Sequence, residues 1–477
     1  MNYKMISYTL GWLLLFEAGF LALPTLVACI YRESAVLALL WSMAICLALS
    51  ILLLFKKPKN TTLRARDGFV IVSLSWITLS IFGAFPFVFS GDIPDFIDAL
   101  FETVSGFTTT GASILVNVES LPNSLLFWRA FTHWVGGMGV LVLLMAFLPL
   151  GGGQNMHIMR AESPGPSVSK LVPRVRTTAI WLYAIYLVLT LAEFVFLLFG
   201  GLPVFDALCT SFATAGTGGF GIYADSLGGF SPYIQLVVAV FMLLFSLNFG
   251  SYFLLLCRKF REAWTSEIRT FLLIVLSAVA LITWNIRALF PTLGESLRHA
   301  LFTVSSIIST TGFATVDFDL WPFFSKSILV LLMFIGACAG STGGGIKVSR
   351  VIILFKGLGR ELRSAIHPKQ IKKISVDGRP VEQEVVSAVF TFLFCFVAIF
   401  AASLLLISLD NRDFTTNFTA VAATMGNIGP GLSAVGPTQN FAFFSPLSKL
   451  VLIFDMLAGR LELFPMLVLF APQTWRR

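Results

Sequence analysis

The chain has 477 residues, 57% hydrophobic, 14% aromatic and only 12% charged, with mean hydropathy +0.87 and formal net charge +8. Soluble globular chains carry roughly 25% charged residues, so a soluble fold is excluded, and long uninterrupted apolar runs exclude a β-barrel of short alternating segments. Six scattered cysteines without metal-ligand spacing and four dispersed histidines exclude a disulfide scaffold and a metal cluster. The composition is that of an all-α polytopic membrane protein.

In chain order, runs able to cross a bilayer lie near residues 8–30, 34–55, 69–89, 124–149, 178–200, 232–257, 270–290, 326–355, 385–409 and 446–470. A spanning helix needs about 20 predominantly apolar residues, so ten spans are expected. The first follows a near-neutral start with a single Lys4 and lacks a small-residue cleavage site, so it reads as a retained span. Four shorter apolar stretches, near 96–110, 204–218, 296–311 and 414–428, run into Gly-rich sequence and are expected to be re-entrant. The chain thus divides into two N-terminal spans (1–60) and four units: 61–155, 156–262, 263–375 and 376–477.

Placing the N-terminus inside puts 25 of the 33 Lys and Arg on that side, including Arg476 and Arg477. Excess Lys and Arg marks the cytoplasmic face, so both termini are expected there. The outer side holds 13 acids against seven bases, among them Asp92, Asp95, Asp98, Glu102, Asp206, Asp317, Asp319 and Asp413. Such a surface attracts cations, although ordinary loop solvation explains the same count.

Internal repetition is the strongest feature. After the first two spans, the order span, re-entrant segment, Gly loop, span occurs four times. The re-entrant segments run from Asp98 to Gly111, Asp206 to Gly219, His299 to Gly312 and, more weakly, Asn417 to Gly429. In the first three the Gly lies 13 residues after the opening position; in the fourth this alignment is one residue shorter. Backbone carbonyls at membrane depth are tolerated only when buried in protein or lining water. Four such loops around one axis can replace a cation's hydration shell, and the C-terminal end of each short helix adds about half a negative charge. Repetition alone therefore points to a cation pore.

Two further features stand out. Residues 336–345 contain five glycines, with Ser341 and Thr342 among them. At up to about 1 kcal/mol per helical Gly, they argue for a broken span; close helix packing is the alternative. Arg460 stands in the middle of the last span, where a charge is costly. Its neighbours at i±3 and i±4 are Met456, Leu457, Leu463 and Phe464, so no acid on its own helix can pair with it. A pair with Glu193 on another helix is the structural alternative. Glu17 and Glu193 are further intramembrane acids, and His133 and Asn248 read as packing residues.

These residues resemble the Trk/Ktr/HKT superfamily of potassium transporters, and within it the TrkH/TrkG branch of bacterial uptake proteins. The resemblance extends over essentially the whole chain. It is carried by Thr109-Thr110-Gly111-Ala112, Thr217-Gly218-Gly219-Phe220, Thr310-Thr311-Gly312-Phe313 and Asn427-Ile428-Gly429-Pro430-Gly431. Also shared are Glu162–Pro166, the run from Gly336 through Gly340, Ser341, Thr342, Gly343, Gly344 and Gly345 to Lys347, and Gly459-Arg460-Leu461-Glu462.

The resemblance implies one selectivity-filter strand per unit, a pseudo-fourfold pore within one chain, a homodimer and a bacterial inner-membrane location. It implies potassium as the substrate, with no cofactor held by the chain itself. It further implies an intramembrane gating loop ending at Lys347, Arg460 facing the pore below the filter, and a cytosolic nucleotide-binding regulatory partner of the TrkA type. The basic segment 347–379 is the natural docking surface, with contact to anionic lipid the alternative. At Gly426 the resemblance leads one to expect a polar residue, a departure in the fourth quarter. No loop has the longer Thr-Val-Gly-Tyr-Gly run, so cation conduction is more firmly implied than potassium-over-sodium discrimination. A sodium- or proton-coupled transporter remains the rival. No constellation for an intramembrane enzyme, a haem or nucleic-acid binding is visible.

Overall fold

A computed structural model describes residues 1–59, 63–139, 175–367 and 373–475. The Glu162–Pro166 motif, the far part of the span expected at 124–149, and Arg476 and Arg477 lie outside the described residues.

Six of the ten expected spans are long apolar helices: Tyr3–Tyr31, Val36–Leu54, Arg66–Ser90, Thr177–Phe199, Ser266–Ile286 and Gln383–Asp410. They are the two N-terminal spans and the first span of each unit. The remaining four are the second spans, and each departs from a straight helix. In the first unit, helix Asn123–Gly137 ends and Gly139 takes φ +82°. In the second, Pro232–Phe245 and Phe249–Leu256 meet at 88°. In the third, Phe323–Ile335 and Val348–Ile366 are separated by residues 336–347. In the fourth, Pro446–Arg460 and Phe464–Phe470 are separated at Leu461–Leu463, where Glu462 and Leu463 have φ +55° and +67°.

The expected break in the Gly-rich run is therefore present, and the breaks near Ser246 and Leu461 are additional. Among the described residues the only strands form a hairpin, Ser375–Val376 with Arg379–Pro380. Asp377 and Gly378 turn it with φ +50° and +74°, the two-residue geometry that favours Asp-Gly.

The spans are apolar outside as well as inside. Val188, Leu191, Leu273, Leu276, Phe394 and Val397 are all exposed, which in a bilayer leaves them in a medium as apolar as themselves. Polar side chains turn inward, toward the re-entrant segments. The N-terminal hairpin is fastened to the first unit at one end, where the Glu33 carboxylate accepts from the N–H groups of Asn123 (2.7 Å) and Ser124 (3.0 Å). These are orphan donors at a helix start. Within the hairpin, Gly11 lets the helices approach, and the Ser50 hydroxyl donates to Gly11 O at 2.8 Å.

Candidate functional site

The four re-entrant segments are short helices, Phe96–Phe107, Val204–Ala215, Leu293–Ile308 and Phe414–Met425. Twelve helical residues rise about 18 Å, roughly half the hydrocarbon core, so such a helix reaches mid-membrane and stops. Three of them begin at side-chain caps. Asp95 accepts from the amides of Ile97 and Asp98, Thr292 from Glu295, and Asp413 from Thr416. Their inner turns are fully buried.

All four end alike. The second residue after each helix is left-handed although it is not glycine: Thr109 (φ +56°), Thr217 (+54°), Thr310 (+61°) and Asn427 (+54°). Two residues on comes a left-handed Gly: Gly111 (+80°), Gly219 (+73°), Gly312 (+86°) and Gly429 (+99°). A non-Gly residue at positive φ is uncommon, and here it recurs at one position in four units. This register corrects the opening of the fourth segment. Counted from its helix end, the position equivalent to Asp98 is Thr416 rather than Asn417, and the one-residue discrepancy disappears.

The four strands close on one another. A Cβ on Gly111 would collide with Gly218 O, one on Gly219 with Thr311 O, and one on Gly312 with Ile428 O; on Gly429 it would lie 2.8 Å from Thr110 O. Each glycine faces the carbonyl of the residue preceding the matched glycine of the next unit. The contacts therefore run one to two, two to three, three to four and four to one, a closed ring in one chain. Above it lies a cavity of about 130 Å³ lined by Gly111, Gly219, Gly312 and Gly429 together with mouth residues such as Asn440.

The side chains beneath the ring are polar and buried. Thr110 Oγ1 lies 2.8 Å from Thr108 Oγ1 and accepts from Asn427 Nδ2 at 2.9 Å, and that amide also donates to Met456 O at 2.9 Å. Thr109 Oγ1 and Asn427 Oδ1 are buried oxygens with no hydrogen-bond partner among the described residues. The Gly426 departure has a steric cause. A Cβ there would meet Ala422 O and Ile428 Cδ1, both at 2.8 Å, so a larger residue does not fit, and the polar contacts are made by Asn427.

Two further elements brace the ring. His133, read above as packing, is fully buried with Nδ1 2.7 Å from Gly106 O, and its Nε2 accepts from Phe220 N–H at 3.3 Å. Those two bonds specify a neutral ring with the proton on Nδ1 and join the first two units. Glu102, counted above as an outer-surface acid, is buried. It pairs with Arg129 at 2.8 Å, accepts from Ile114 N–H and Ser113 Oγ, and Arg129 donates to Gly221 O at 3.2 Å. Asp98 is likewise paired with Lys449 (2.5 Å) and Asp319 with Lys326 (3.3 Å). The acids of the mouth are thus partly neutralised in place. Glu102 and Arg129 are a buried pair that their place beside apolar runs could have signalled; His133 offered no sequence signal beyond its membrane depth.

A buried loop lies on the other side of the ring. Residues 336–347 form a buried, non-helical loop with left-handed backbone at Gly336, Gly340, Gly345 and Lys347. Gly344 N–H donates to Thr310 Oγ1 at 2.6 Å, tying the loop to the third strand. A Cβ on Gly343 would lie 2.8 Å from Ser309 O, and one on Gly344 would strike Gly426 O. The bend of the second unit holds the loop from the side: Cys338 N–H donates to Ser246 O (3.1 Å) and Phe249 N–H to Gly340 O (3.0 Å). Ser341 is buried here, and Lys347 Nζ folds back onto Gly343 O.

Arg460 reaches across from the fourth unit. It donates to Thr342 O (2.7 Å) and to Gly136 O and Gly137 O (both 2.6 Å), with Trp76 5.8 Å from its guanidinium carbon. These three acceptors are backbone carbonyls, and Glu193 is not among them. Glu462 turns away and pairs with Arg350. A cavity of about 70 Å³ remains between Trp76, Met138, Leu182, the loop and Arg460.

A closed ring of re-entrant strands over a buried glycine-rich loop and Arg460, built from four units of one chain, defines a multi-pass membrane transporter. Comparison with known proteins gives the family. TrkH, a family of cation transport proteins, matches residues 37–476. The Trk system potassium uptake protein TrkH of Salmonella typhimurium is 40% identical over the whole of both chains. TrkG of Escherichia coli is 34% identical over 99% of each. The crystal structure of the potassium transporter TrkH from Vibrio parahaemolyticus superposes with a TM-score of 0.90 at 34% identity, covering all of both chains. The chain belongs to the TrkH family.

Proposed function

We propose that this chain is the potassium-conducting subunit of a Trk-type uptake system of a bacterial inner membrane, with both termini cytoplasmic. Thr109–Gly111, Thr217–Gly219, Thr310–Gly312 and Asn427–Gly429 form its filter. The observation that carries the reading is the closed sequence of glycine-to-carbonyl approaches around the four units. Only a ring whose carbonyls serve a common axis requires every unit to leave its neighbour that space. Four helix C-termini converging on the ring favour a cation there, and the relatives are named as potassium uptake proteins.

In this reading a potassium ion sheds its water in the mouth, takes carbonyl and threonine oxygens in exchange, and is stopped below by the loop 336–347 and the Arg460 charge. A cytosolic nucleotide-binding subunit of the TrkA type, acting on a homodimer through the basic segment 347–379, lowers that barrier.

The test is rubidium-86 uptake into liposomes holding the purified chain, with potassium, sodium and lithium as competitors. Uptake is expected to follow the ion's own gradient and to be blocked best by potassium. A strict requirement for a sodium or proton gradient would instead establish a coupled transporter.

A further inference from the structure

Glu267 has no part in the ring or in the Arg460 contact, yet it holds the loop between them from two places. It sits in the first turn of the first span of the third unit, Ser266–Ile286, and is buried. One oxygen, Oε1, accepts from Ala339 N–H at 2.7 Å, within the first part of the loop, and from Ser349 N–H at 3.0 Å, in the first turn of the helix that follows it. A carboxylate in a first helical turn normally serves its own helix. This one is bonded instead to two amides of another segment, ten residues apart in sequence.

The preceding residue is held from outside. Asp377, at the turn of the hairpin 375–380, accepts from Ser266 N–H (2.7 Å) and Ser266 Oγ (2.5 Å), and Arg269 lies 3.6 Å from the same oxygen. The hairpin is seated on the helix that follows the loop, since Lys356 Nζ donates to Ser375 O at 2.7 Å and Ile374 is buried with Ile353, Val386 and Val389. The start of the Ser266–Ile286 helix lies at the opposite membrane face from the third re-entrant segment, because a single span separates them. The exposed hairpin tip is thereby linked to the loop through two adjacent residues.

We propose that Glu267 is the positioning residue that sets the resting conformation of the glycine-rich loop, and that Asp377 adjusts it from the surface of the protein. The inference rests on the loop being the gate, as argued above. It gives a regulator docking at the hairpin a mechanical route: displacing Asp377 frees Ser266 and shifts Glu267, which releases both of these bonds together.

The experiment pairs basal rubidium-86 flux through the reconstituted full chain with hydrogen exchange of peptides covering 336–349. Glu267→Ala is expected to raise basal flux about tenfold or more, two charge-assisted bonds being lost, with the half-saturating rubidium concentration unchanged and faster exchange confined to those peptides. Glu267→Gln keeps an oxygen able to accept both bonds and should restore most of the closed behaviour. Asp377→Ala, a surface change that leaves the membrane core intact, should raise flux and loop exchange less, and combining it with Glu267→Ala should add nothing. Unchanged loop exchange in Glu267→Ala overturns the proposal, and an additive double variant overturns the role of Asp377. Should Arg460→Ala leave flux unchanged, the gate reading fails, whereas the exchange data still decide whether Glu267 positions the loop.

Discussion

At the scale of single residues, the ring depends on the absence of side chains where strands meet and on their presence one step away. Gly312 meets two demands together, a left-handed φ of +86° and a Cβ position occupied by Ile428 O. Left-handed strain costs about 1–3 kcal/mol, and the overlap must also be relieved by moving the fourth strand. Gly312→Ala is expected to abolish selective uptake in protein that still reaches the membrane. Gly359, whose Cβ would meet nothing within 4 Å, supplies the control, and Gly359→Ala should transport normally in the same competition assay. Asn427 shows the converse: its amide spans from Thr110 to Met456, at the position where the other three quarters carry a threonine.

At the scale of elements, each re-entrant helix must start at the membrane surface and end at its centre, and its cap governs the start. Asp413 shows how that cap depends on pH. The Thr416 hydroxyl and amide bond its carboxylate and hold it below the usual aspartate range. A depressed folded-state value means that the contribution is present above the ordinary aspartate value near 3.9 and is lost as the pH falls through the lower folded value. Asp413→Asn should therefore lower the melting temperature in detergent at pH 7, and the gap from wild type should close as the buffer is taken below about pH 4. An equal gap at both pH values would show that the cap acts without charge.

The elements also show which parts of the structure were readable beforehand. Three of the four re-entrant segments announced themselves because a Gly recurs at a fixed distance from the segment opening. The fourth was misaligned by one residue because Thr416 is followed by Asn417-Phe418 and not by the Ala-Leu that follows Asp98, Asp206 and His299. The break at 336–347 was readable from five glycines. The bend at Leu461–Leu463 was not, since those residues are ordinary helix formers, and the one at Ser246–Asn248 carried only the weak signal of a lone cap residue, Asn248. Their geometry comes from partners distant in sequence: Ser246 O receives Cys338 N–H, and Arg460 is drawn onto three carbonyls of other units. Glu267 and His133 escaped for the same reason, their functions residing in bonds to residues 72 and 87 positions away.

At the scale of the molecule, the breaks of the second spans converge. Gly459 lies against Met425 O as Gly136 lies against Phe107 O, so Arg460 occupies the place that Gly137 takes in the first unit. That single exchange puts a charge under the ring, bonded at once to the first and third units. A unit charge about 4 Å away at an effective dielectric near 20 opposes a cation by about 4 kcal/mol, up to roughly a thousandfold in occupancy. Arg460→Ala removes both the charge and the three bonds, and basal rubidium flux is expected to rise at least tenfold, about 1.4 kcal/mol of that barrier. Unchanged flux in folded protein would place the barrier elsewhere.

The closed sequence of contacts from unit one back to unit one passes through a single polypeptide. A pore assembled from four identical subunits must accept every substitution four times over, so any change at its axis is either harmless or ruinous. Here each quarter can be altered alone. The fourth carries Asn427 where the others carry threonine and Arg460 where the first carries Gly137, and the third opens its second span into a loop. Division of labour among matched positions is therefore open to this architecture, with the departures gathered in the third and fourth quarters while the ring of glycine-to-carbonyl approaches stays complete.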